Sequence, residues 1–117
     1  APFLEAIDPN VHWQIAGPER QLDSAQGIFN VAEWKELINK PLLARLDSNG
    51  LKMAVESVDV IGQRAIVECS GTATQKNGKP YNNFYCWIFH FSEETGKVVK
   101  IYEYLNTHLV YEVSRDN

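Results

Sequence analysis

Glu68 and Glu103 stand in the most aromatic stretch of this 117-residue chain. A carboxylate shut among rings loses hydration, its pKa rises, and it becomes a proton donor or acceptor near neutral pH. On the face holding both acids, Asn83, Tyr85, Trp87, Phe89, Ile101 and Leu105 would shape and orient an apolar substrate, with Gln14 and Asn106 as further residues expected to bind it. His12 is a further candidate acid or base, and Gln14 shares its side of an earlier strand; which side faces inward is open, with Val11, Trp13 and Ile15 the better packing set. Sharper signatures are absent: there is no Gly-rich phosphate loop, HExxH, nucleophile elbow or paired CxxC. His12, His90 and His108 are too dispersed for a metal site. Neither a metal nor another cofactor is expected.

The turns decide whether these residues meet. Asn77-Gly78 is read as a two-residue type I′ hairpin turn, closed by Lys76 and Lys79, which sets Glu68 opposite Trp87 and Cys69 opposite Cys86. Glu94-Thr95-Gly96 is read as a three-residue loop pairing Glu93 with Lys97, which sets Glu103 against the other side of Trp87. The two acids would then lie about 10 Å apart, two strand spacings. A four-residue second loop would turn Glu103 to the opposite face. Val67, Cys69, Gly71, Ala73, Phe84, Cys86 and Ile88 are expected on that opposite face. The two cysteines are read as buried thiols without assigned chemistry.

Around this ladder the chain reads as helix first, sheet after. Pro2 to Ile7 suits the end of a helix stopped by Asp8-Pro9-Asn10, and Val11 to Ala16 a strand. Glu19 to Gly27 is polar and irregular, as a loop over an opening would be. Asn30 and Glu33 form a capping-box start, followed by Val31, Trp34, Leu37 and Ile38 at helical spacing. Pro41 is expected to interrupt that helix. A second short apolar face, Leu42, Leu43 and Leu46, stops at Asp47-Ser48-Asn49-Gly50. Leu51 to Val60 is a strand, and Ile61-Gly62-Gln63 a tight connection.

The order implies an α+β domain over 1–117, with helices on one face of a bent antiparallel sheet. A net charge of −4 with scattered basic residues argues against nucleic-acid binding, and no apolar run is long enough for a membrane helix. A cytoplasmic location is the expectation. Keeping both faces of so small a sheet dry calls for a second protomer, so a homodimer is expected.

The segments Val11-His12-Trp13-Gln14-Ile15-Ala16-Gly17, Glu33-Trp34, Gly78-Lys79-Pro80-Tyr81-Asn82-Asn83 and Gly96 to Thr107 together resemble the SnoaL-like branch of the nuclear transport factor 2-like superfamily. Ketosteroid isomerase, scytalone dehydratase, limonene epoxide hydrolase and polyketide cyclases belong to it. The resemblance implies a cone-shaped roll, a curved antiparallel sheet wrapped around N-terminal helices, with a pocket at its wide end and a homodimer joined through the sheet. Gln14 falls near the general base of ketosteroid isomerase but cannot be one, and Trp87 near its oxyanion-hole acid. The closing Glu-Tyr-x-Asp motif reads Glu103-Tyr104-Leu105-Asn106, which leaves Glu103 as the acid. The first helix is shorter than in such relatives. The implied function is a cofactor-independent isomerase, cyclase or dehydratase acting on an apolar, polycyclic or polyketide-like molecule. The alternative is a non-catalytic ligand-binding or dimeric scaffold protein.

Overall fold

The computed structural model describes residues 2–117. One helical turn, α1 (Pro2–Glu5), leads into β1 (Ile7–Ile15) and then a 3₁₀ turn at Leu22–Ser24. After β2 (Gly27–Phe29) come α2 (Val31–Trp34), a π-helical segment (Lys35–Asn39) and α3 (Lys40–Ala44). Four strands follow, β3 (Lys52–Ile61), β4 (Arg64–Thr74), β5 (Pro80–Phe91) and β6 (Val98–Leu105), before α4 (Thr107–Asp116). The six strands form one sheet in the order β2-β1-β6-β5-β4-β3. β1 runs parallel to β6, and the other neighbours are antiparallel. The α+β class thus holds.

Alternation along β1 decides its faces. Val11, Trp13 and Ile15 are buried, and Trp13 and Ile15 stand beside Ile101 and Glu103 of β6. His12 and Gln14 therefore point to the outer side with Lys100 and Tyr102. β1 starts earlier than expected because Asp8-Pro9-Asn10 lies inside the strand, where the ladder to β6 shifts register between Ile7 and His12. A proline without an N–H is tolerated in such an irregularity.

The capping box forms: Glu33 N–H donates to Asn30 Oδ1 at 2.8 Å, and Asn30 N–H to Glu33 Oε1 at 3.0 Å. Pro41 does not interrupt the helix it follows. The chain stays helical from Val31 to Ala44 because one turn widens, with Lys40 N–H reaching back to Lys35 C=O. A π turn changes the spacing at the point where a proline ring would press on the carbonyl four residues earlier.

Two loops depart from expectation. At Asn77-Gly78, Gly78 N–H closes on Gln75 C=O (2.9 Å) and Gln75 N–H on Lys79 C=O (2.8 Å). Only Gly78 takes positive φ, at 89°. This is a three-residue loop with glycine in the bulge position rather than a type I′ turn. The extra residue slides β4 by one against β5, so Glu68 faces Cys86 and Cys69 faces Tyr85. Every β4 side chain changes face.

At the next turn Ser92 N–H bonds Lys97 C=O at 2.8 Å, enclosing four residues, Glu93 to Gly96. That loop alone would send Glu103 outward. β6 carries a compensating irregularity, pairing His90 with Lys100 but Phe91 with Val98, so that Val99 is the extra residue. Glu103 consequently faces Trp87. The expected pairing survives, through a longer loop and a bulge that cancels it.

The inner face of β4 is built from Ala65, Val67, Cys69, Gly71 and Ala73, opposite Phe89, Trp87, Tyr85, Asn83 and Tyr81. Small residues on one strand leave room for rings on the next. A Cβ on Gly71 would sit 2.9 Å from a Tyr85 ring carbon and 3.0 Å from Met53 Sδ. The sheet curves over α2 and α3, and α4 closes the far end, with Val110 and Val113 buried beside Leu46 and Tyr81.

Candidate functional site

Between the concave sheet and the helices lies an apolar cavity of about 400 Å³. Trp13, Tyr81, Tyr85, Trp87, Glu103 and Leu105 line it from the sheet. Phe3, Trp34, Leu37, Ile38 and Leu42 line it from the helices, Val110 and Val113 from α4. Leu22, Asp23 and Ala25 come from the loop that was expected over an opening.

Glu103 is the buried acid of this cavity, 6 % exposed. β6 delivers it beside Trp87 of β5, and β1 brings Trp13 over it, whose indole N–H donates to Glu103 Oε1 at 3.0 Å. The Trp13 ring cannot swing away, because Trp34 stacks on it at 4.5 Å and 13°. Burial raises the Glu103 pKa to about 7, and the two indoles oppose that rise by favouring the anion. The Trp87 N–H lies close enough to be felt electrostatically. It falls outside hydrogen-bonding geometry, and among the described residues it is the buried side-chain polar atom left without a partner. A carboxyl group that is half ionised near neutrality, facing an apolar hollow, can take or give a proton.

A second polar group lies deeper. Asn83 Nδ2 donates to Tyr81 Oη at 3.0 Å, and the Tyr81 and Tyr85 hydroxyls are 2.9 Å apart. Burial pushes both phenols up, so they stay neutral.

Of the residues expected to work together, the structure brings Glu103, Trp87, Tyr85 and Leu105 to the cavity wall. Glu68 is not with them: the one-residue slide of β4 puts it on the outer surface, exposed and accepting a hydrogen bond from Ser57 Oγ at 2.9 Å. His12 and Gln14 are also outside, their ring and amide 3.5 Å apart, because Trp13 and Ile15 take the inner positions. Phe89 and Ile101 pack in the core beside the cavity. Asn83 spends its amide on its neighbours, its oxygen accepting from Phe84 and Asn106 N–H. Asn106 caps α4 through Leu109 N–H at 3.1 Å. Cys69 and Cys86 are free thiols on opposite faces, not a facing pair.

Sequence reasoning missed Trp13 as the partner of Glu103 and Tyr81 as the support of Tyr85. The inward alternation of β1 was a signal for the first. No family model matches the chain, and no curated protein matches it. Solved structures do. An NTF2-like protein from Burkholderia thailandensis superposes with a TM-score of 0.72 at 17% identity, over 94% of this chain and 80% of its own. A protein assigned as a SnoaL-like polyketide cyclase, from Jannaschia sp., gives 0.70 at 15%, over 98% and 77%. The fold is that of the NTF2-like proteins. TerC, co-crystallised with polyporic acid, has this NTF2-like fold too, at a TM-score of 0.73 and 18% identity over 96% of this chain and 82% of its own. No described helix is long and apolar enough to cross a membrane, and no described cluster of His, Cys, Asp and Glu could hold a metal ion.

Proposed function

We propose that this NTF2-like chain is an acid–base enzyme of the isomerase, cyclase or dehydratase kind, acting on an apolar ring-bearing molecule held in the cone. The observation that carries this reading is Glu103, closed into a wall of rings with its pKa raised by burial to about 7. Its ionised form removes a proton from bound substrate, and the resulting acid returns that proton to another atom of the same molecule. One carboxylate serves both steps, which suits a cavity where Asp23 is the other lining acid and stands in the exposed loop. Trp13 holds Glu103 in place, Trp87 offers its free N–H, and Leu105 with the helix side chains excludes water. The Jannaschia neighbour assigned as a cyclase supports this class of chemistry.

The alternative is a non-catalytic ligand carrier, in which Glu103 has an ordinary carboxylate pKa, and the titration of that group separates the two readings. A ¹³C NMR titration of the Glu103 carboxyl is expected to give a midpoint near 7. An ordinary value near 4.5 would overturn the enzyme reading. Self-association through the outer face of the sheet, where Phe84 and Tyr104 are exposed, completes the proposal.

A further inference from the structure

The direction of one hydrogen bond deepens the proposed function by naming what the cavity recognises. The Asn83 amide cannot be flipped, because its oxygen accepts two backbone N–H groups, from Phe84 at 2.8 Å and Asn106 at 2.9 Å. Its Nδ2 therefore donates, to Asn106 C=O and to Tyr81 Oη. Tyr81 Oη, thus occupied as an acceptor, still carries a proton. Both tyrosines border the cavity, but Tyr81 is 0 % exposed against 7 % for Tyr85, and Tyr85 Oη at 2.9 Å is the remaining partner of the Tyr81 hydroxyl among the described residues. Were Tyr85 the donor, the Tyr81 proton would be buried bare, at the full cost of an unmade hydrogen bond. Tyr81 consequently donates to Tyr85.

The Tyr85 proton is then left without a protein acceptor among the described residues, on a side chain that lines the cavity. Its ring is held against Trp87 at 5.6 Å, with Gly71 leaving the space it occupies. Tyr85 faces Leu105 as Trp87 faces Glu103, so the donor stands one side-chain row, about 7 Å along the strand, from the acid.

We infer that the Tyr85 hydroxyl is a directed donor subsite for an oxygen acceptor, so that the ligand is an aromatic or polycyclic carbonyl compound rather than a hydrocarbon. Donation to a carbonyl oxygen draws electrons from the carbons beside it and makes their protons easier to remove. Asn83 and Tyr81 are positioning residues for that donor.

Matched probes test this without any turnover: 2-acetylnaphthalene, which carries a carbonyl, against 2-ethylnaphthalene, which has the same shape and none. Binding is followed by tryptophan fluorescence, and the ketone's C=O stretch by infrared difference spectroscopy. The wild-type protein is expected to bind the ketone about tenfold more tightly, since the hydrocarbon leaves the hydroxyl bare. The C=O band is expected to move to lower wavenumber. Tyr85→Phe should remove both the preference and the shift, while Glu103→Gln should keep both. An unshifted carbonyl in the wild type, a shift that persists in Tyr85→Phe, or equal affinity for the two probes would each overturn the inference. Failure of the enzyme reading is distinct, since it would appear as an ordinary Glu103 titration with the carbonyl shift intact.

Discussion

At the scale of single residues, Glu103 ties stability to pH. Its folded pKa is about 7 against an ordinary 4.5, so the folded state holds its proton over a window where the unfolded chain has lost it. Below pH 4.5 both states are protonated and the burial costs nothing. As pH rises through the window the unfolded state ionises first and is favoured, until above 7 the full penalty of about 3 kcal/mol is present. Urea denaturation at pH 5 and pH 8 should therefore show lower stability at pH 8, and Glu103→Gln should remove that part of the difference. Trp13→Phe keeps an aromatic ring at this position, smaller than the indole, and deletes the N–H that favours the anion. It is expected to raise the Glu103 midpoint by about one unit, as loss of a hydrogen bond to a charged group implies, read by the same ¹³C titration. How far these residues were legible differs for a physical reason. Glu103 was legible through its aromatic company, whereas Glu68 was misplaced because Asn-Gly suits two turns. A type I′ turn needs positive φ at both central residues, a bulged three-residue loop only at glycine, and one residue of slide exchanges the faces of β4.

At the scale of elements, the helices show what local pattern can and cannot convey. The Asn30–Glu33 capping box was readable because both partners lie within one turn. The π turn before Pro41 was not, since a proline normally signals a break and the widened turn is its alternative. α4 was missed because Asn106 was read as the end of a motif rather than as a cap. The signal was there: an Asn followed by Leu109, Val110 and Val113 at helical spacing. Asn106→Ala should cost about 1 kcal/mol in urea titration, the usual worth of a lost cap. Asn106→Asp, which keeps the accepting oxygen, should retain most of it. Because Val110 and Val113 line the cavity, the alanine variant should also bind 2-acetylnaphthalene more weakly. Equal stability of the two variants would mean that packing alone holds α4.

At the scale of the whole molecule, the cone was legible because helices preceding a bent antiparallel sheet have few ways to bury both an apolar helical face and the concave side of the strands. What one chain leaves unburied is the convex side. Phe84 is 70 % exposed and Tyr104 48 %, and they stand with Ile66, Cys86 and Ile88 on one face of the sheet, where the Ser70 and Ser57 hydroxyls donate to Glu56 and Glu68. Exposed rings gathered on one face are apolar surface whose removal from water favours association. A second copy meeting it face to face would bury both rings, and the cavity, on the concave side, would stay open. Sedimentation equilibrium at micromolar concentration should accordingly report a dimer. The double substitution Phe84→Lys and Tyr104→Lys places four charges across the proposed two-fold contact and should give a monomer, with unchanged circular dichroism and an unchanged Glu103 titration. A wild-type monomer, or a charged variant that still dimerises, would remove the convex sheet as the meeting surface while leaving the cavity chemistry where it stands.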